Sequence, residues 1–162
     1  MEHLPVLAEV SVAFAGFISI FLIFARRDGR FEKHDSLRVE AIFTASFMAV
    51  FMALAPLALS HSDMSAETIF RITSGMAAVG VAVVLTSVGV RQFALPAESR
   101  KKIGLINNLY AWPVGIFSVA SLASIAFGIN PAPAELLYNV IIVLMLGICT
   151  SNFVTIAKQK LS

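Results

Sequence analysis

The groups in this sequence that could do chemistry are few: three histidines, ten carboxylates and one cysteine in 162 residues. His3 and His61 stand in polar connections that also hold Glu2, Asp63 and Glu67, and His34 is followed by Asp35. Histidines beside carboxylates are metal-ligand chemistry. None of the three has a second histidine at a ligand spacing such as HExxH, so no metal site is expected. Cys149 is alone, which excludes a disulfide framework and a multi-cysteine cluster. No cation lies close to it in sequence to hold its thiolate. The chain has no nucleophile elbow, phosphate-binding loop, dinucleotide fingerprint or Cys-x-x-Cys pair. Its apolar runs hold no histidine pair to ligate a haem internally, and no lysine to carry a retinal. The expectation is a protein without catalytic residues or cofactor.

Two charges do lie inside apolar runs. Glu9 falls on a helical face with Ala13 and Gly16, and Arg71 falls on one with Ser74, Gly75 and Ala78. A charge at the centre of a membrane helix costs roughly 2.5–3.5 kcal/mol, and less near its ends. Pairing relieves both partners, so a Glu9–Arg71 contact between the first and third runs is expected. Asn139, Cys149 and Asn152 dot the last run and are read as polar contacts to neighbouring helices. Tyr110, Trp112 and Tyr138 fall near the run boundaries and are read as interfacial anchors. Asn107 and Asn108 extend the first of these clusters.

The elements that must position these residues are five apolar runs, at 5–25, 41–60, 70–90, 109–128 and 136–157. Each has about the 20 residues needed to cross a hydrocarbon core of about 30 Å. The chain is 58% apolar and 14% charged, with mean hydropathy +0.85. A soluble domain carries about a quarter charged residues, so lipid must cover most of this surface. The fold class expected is all-α: a single polytopic membrane bundle of five transmembrane helices over 1–162, with no soluble domain.

Of the twelve lysines and arginines, all except Arg71 lie in or beside the first and third connections and the C-terminal tail. Positive charge beside membrane spans stays in the cytoplasm. The N-terminus is therefore expected outside and the C-terminus inside, in a bacterial inner membrane. The basic connections are expected to meet anionic lipid headgroups, at about 1 kcal/mol per residue near the surface. No aromatic-interleaved basic patch points to nucleic acid.

Pro56 and Pro113 fall within runs and are expected to kink them. Asp35 and Ser36 suit the N-cap of the second helix. Small residues recur at intervals of four: Ser11, Ala15 and Ser19; Ala41, Ala45, Ala49 and Ala53; Ser74, Ala78, Ala82 and Thr86; Ala120, Ser124 and Gly128; Gly147, Ser151 and Thr155. That spacing puts each set on one helix face, where small residues let membrane helices approach closely. Two functions fit. One is a self-associating bundle, a homo-oligomer forming a pore or transport path. The other is a non-conducting accessory or scaffold subunit bound to a membrane partner. The first two hairpins share a layout, and parallel repeats of that kind occur in transporters, although few residues agree.

Overall fold

In a computed structural model the described residues form five long helices: α1 (Leu4–Arg27), α2 (Lys33–Leu59), α3 (Ala66–Phe93), α4 (Leu105–Phe127) and α5 (Ala134–Leu161). The structure describes residues 3–27, 33–99, 105–129 and 132–161, without side chains at 21–22, 24–27, 33–35, 105–109 and 159–161. No strand occurs among the described residues. Four helical stretches are long and apolar enough to cross a bilayer: Ser36–Leu59, Ala66–Phe93, Tyr110–Phe127 and Ala134–Lys158. The described apolar part of α1, Leu4–Ile20, is shorter.

Several helices run past the apolar segments that announce them. A hydropathy pattern ends where the lipid ends, but a backbone already hydrogen-bonded continues at one bond per residue. Thus α2 begins at Lys33, which puts Asp35 and Ser36 inside its first turn and not at its cap. The α3 helix begins two residues before Thr68, whose N–H donates to the Ser65 hydroxyl at 3.3 Å. Glu67 in its first turn and Arg91 in its last complement the helix dipole.

The α2 helix is central and packs on α1, α3 and α5, while α3 makes its most extensive contact with α4. The alanine face of α2 is what allows this. Ala45, Ala49 and Ala53 are buried. Around Ala49 and Ala53 gather Met52, Phe70, Leu122, Ile125, Ile141 and Ile142. A second cluster unites Ile18, Ile42, Cys149 and Ile156. Glycines set the α3–α4 approach. A methyl group on Gly89 would sit 2.6 Å from Trp112 Cη2, and one on Gly115 would sit 2.8 Å from Leu85 Cδ1.

Only 28–39% of each spanning window is buried within the bundle. The outward faces carry Phe17, Ile20, Phe47, Val79 and Phe117, each at least 49% exposed. Patches of this extent do not persist in water, and they are the lipid-facing surface of a membrane bundle.

Pro56 lies within α2. It has no N–H, so the Met52 carbonyl one turn earlier loses its helical donor. The Tyr138 hydroxyl of α5 takes that place, donating to the Met52 carbonyl oxygen at 2.9 Å. Tyr138 is completely buried and its ring meets Phe70 edge-on at 5.4 Å. It joins α2, α3 and α5 in the interior, which corrects its assignment as an interfacial anchor. Its position near the end of an apolar run is also where the orphaned carbonyl lies.

Candidate functional site

The polar side chains of the spans mostly turn back onto their own helices. Ser11 donates to the Leu7 carbonyl, Ser19 to Ala15, Thr73 to Ile69, Ser118 to Val114 and Thr155 to Ser151, at 2.6–2.8 Å. Serine and threonine hydroxyls in a helix reach the carbonyl four residues back. In lipid this satisfies them without a second helix. Cys149 does reach across, with Ser46 donating to its sulfur at 3.5 Å and its own thiol directed at the Ile42 carbonyl at 3.6 Å. Asn152 bonds the Ile148 carbonyl of its own helix at 3.0 Å. Among the described residues, the Asn139 Oδ1 and Ser74 Oγ atoms are buried and have no hydrogen-bond partner.

Arg71 pairs with Glu67, one turn earlier on α3, at 2.8 Å. The expected Glu9–Arg71 contact is not formed, and Glu9 is exposed on α1. The reason is proximity: α3 extends four residues beyond the apolar run and brings its own carboxylate to the i−4 position. The Arg71 guanidinium also lies against Gly128. Gly128 has φ +70° and follows the end of α4. There its N–H donates to the Ile125 carbonyl, and the Ile129 N–H donates to Ser124, a left-handed helix end that favours glycine. Arg71 thus places its charge at the negative end of the α4 dipole. Both members of the pair are well exposed, at 46% and 70%, so a coupling of about 0.3–0.5 kcal/mol is expected between Glu67→Ala and Arg71→Ala. Glu9→Ala and Arg71→Ala should be additive. Double-mutant cycles on unfolding in mixed micelles check both, and a resolved Glu9–Arg71 coupling would contradict the geometry.

At the other end of the bundle lies the feature best suited to hold a ligand. A cavity of about 110 Å³ opens between α2, α3, α4 and α5. Its deeper walls are apolar, formed by Ala45, Val81, Leu85 and Met145. Arg38, Gln92 and Asn152 line it too. Gln92 and Asn152 are the lining residues of their helices nearest the basic end, and on α2 Leu37 and Arg38 hold that place together. Arg38 is only 3% exposed and Asn152 only 4%. Trp112 of α4 forms a further wall, with its ring against Gly89 and Phe93. Just outside, Arg91 forks onto both carboxylate oxygens of Glu40 and ties α3 to α2. Both are exposed, and such a pair contributes at most about 1 kcal/mol.

Tyr110 is at the same end, 39% exposed, with its hydroxyl against Gly147 of α5. The side chains of Asn107 and Asn108 lie outside the described residues, as do those of Arg26, Arg27, Lys33 and His34. Sequence reasoning named Asn152 and Trp112 but missed Arg38, which it placed in a connection. The missed signal is the helical spacing of Arg38 with Ala41 and Ala45, which continues the small-residue face past the apolar run. No group of three metal-ligating side chains occurs among the described residues.

The fold and its lipid-facing surface define a polytopic all-α membrane protein. No known family model, curated protein or solved structure matches this chain.

Proposed function

We propose that this protein is a non-conducting subunit of a bacterial inner membrane, with its N-terminus outside and its C-terminus in the cytoplasm. It associates with another membrane helix through the outward face of α1. The observation that carries this reading is the disposition of polar groups. Buried hydroxyls such as those of Ser11, Thr73 and Ser118 bond their own helix carbonyls, and the largest buried cluster between the helices is apolar. Among the described residues, an ion crossing the monomer would meet no continuous line of ligands, which selective conduction requires. The charge distribution of the connections supports the orientation.

The α1 face supplies the contact. Glu9, Ala13 and Gly16 all point outward, and a side-chain carbon built on Gly16 meets nothing within 4 Å. The other small face of α1 is used internally, with Ser11 and Ala15 buried. A carboxylate beside two small residues on a lipid-exposed face favours a close helix neighbour carrying a donor or a cation.

A second reading draws on the same carboxylate. Copies assembled through α1 would gather their Glu9 side chains about a shared axis, and a ring of carboxylates suits a cation path. One set of measurements separates the two. Protein reconstituted in liposomes is expected to leave sodium, potassium and chloride gradients intact. Gly16→Cys, with Cys149 buried and unable to compete, is expected to cross-link to a neighbouring helix, and the adduct mass tells a second copy from another protein. Sustained flux that Glu9→Gln abolishes would establish the pore instead. A silent monomer that forms no adduct would remove both readings.

A further inference from the structure

We propose that the cavity at the basic end of the bundle is a binding site for an anionic phospholipid of the surrounding bilayer. One acyl chain enters between α2, α3, α4 and α5, and the phosphate is held at Arg38. Nothing in this inference depends on whether the protein conducts or on what α1 touches.

Three observations on the same site carry it. The first is polarity along the cavity. Ala45, Val81, Leu85 and Met145 form its deep walls, whereas Gln92 and Asn152 stand at the ends of their lining segments toward the basic end, and Arg38 stands beside Leu37 at that end of α2. That gradient, apolar within and hydrogen-bonding at the rim, is the gradient of a lipid molecule. The second is the burial of Arg38, at 3% exposure. A guanidinium has five donors in a planar fork and matches phosphate oxygens two at a time, so it can serve a phosphate beside its other contacts. The third is size. An apolar cavity of about 150 Å³ stays dry and takes up benzene. A cavity of about 110 Å³ has comparable room for a segment of one chain, but none for a whole lipid. The remainder of the molecule would stay in the leaflet outside.

The protein carries its own reporter. Trp112 is the single tryptophan and lines the cavity, so lipids brominated on their chains quench its fluorescence on contact. The intact protein is placed in phosphatidylcholine vesicles, and dibrominated phosphatidylglycerol is compared with dibrominated phosphatidylcholine. The expected result is a saturable preference of about fivefold for the anionic lipid, the factor one arginine near an anionic surface supplies. Arg38→Gln should reduce that preference to near unity. Ala41→Leu, which leaves every charge in place and fills the cavity from α2, should do the same. Circular dichroism confirms the helices of each variant, and if Arg38→Gln fails to fold, Ala41→Leu decides.

Equal quenching by the two lipids would overturn the proposal. So would an anionic preference that survives Ala41→Leu, since it would then belong to the basic connections as a whole. Loss of the preference on adding millimolar inorganic phosphate would assign Arg38 to a free anion and overturn the lipid assignment. Retention of the preference in phosphate supports it.

Discussion

Tyr138→Phe is expected to destabilise the bundle by about 1–3 kcal/mol, and Tyr138→Ala by about 3–5 kcal/mol. The two variants separate two roles of one side chain. Phenylalanine keeps the ring that meets Phe70 at 5.4 Å but removes the hydroxyl that donates to the Met52 carbonyl. That carbonyl has no helical donor, because Pro56 has no N–H, and water cannot replace the phenol in an interior where Met52 is fully buried. Alanine additionally empties the space of a ring that is completely enclosed. The partner test is at position 56. Pro56→Ala restores the N–H, so the carbonyl is satisfied within α2, and Tyr138→Phe in that background should lose most of its penalty. Unfolding in mixed micelles gives the four corners of the cycle. Strict additivity would mean that the hydroxyl and the proline are unconnected.

Gly89→Val is expected to cost about 1–3 kcal/mol, the usual result of forcing extra atoms into a packed interface. Gly89 is buried on α3, and a side-chain carbon there would lie 2.6 Å from Trp112 Cη2 and 3.0 Å from Cζ2. The indole has little freedom to retreat, since its ring also faces Phe93 at 6.5 Å. Either α3 and α4 separate, or the ring is expelled from the cavity wall. Both responses change the emission of the single tryptophan, which gives a spectroscopic reading alongside stability. Gly89→Ala should show the same trend at smaller size. A Gly89→Val protein with unaltered stability and emission would show that the α3–α4 contact is not set by this glycine.

The two variants also mark how far the sequence was legible. The apolar runs and the alanine face of α2 were readable because lipid imposes a length and a composition on any helix that crosses it. The Ala45, Ala49 and Ala53 face packs inside the bundle, as small residues at that spacing suggest. The candidate site was less legible. Asn152 and Trp112 stood out as polar or amphipathic residues near boundaries, but Arg38 read as a loop cation because α2 begins at Lys33, before the apolar run does. Tyr138 read as an anchor because its partner is a backbone carbonyl 86 positions away, and no side-chain pattern marks a carbonyl. The Glu9–Arg71 pairing failed for a related reason. Charge opposition in sequence does not say which carboxylate is nearer, and Glu67 was already one turn away on the same helix.

The sequence by itself determined that this chain is a set of apolar helices and where the apolar part of each lies. Those are local properties, decided by each residue's own transfer from water and its own backbone bonds. Only the tertiary structure decided which faces meet and what they leave between them. It turned Glu9, Ala13 and Gly16 outward, closed Tyr138 onto the carbonyl that Pro56 orphans, and brought Arg38, Gln92, Trp112 and Asn152 from four helices to one cavity. In lipid, helices gain nothing by merely hiding apolar surface from one another, so their arrangement follows from close fit and a few cross-helix bonds. Those depend on which residues face each other, and that is settled only when all five helices are in place.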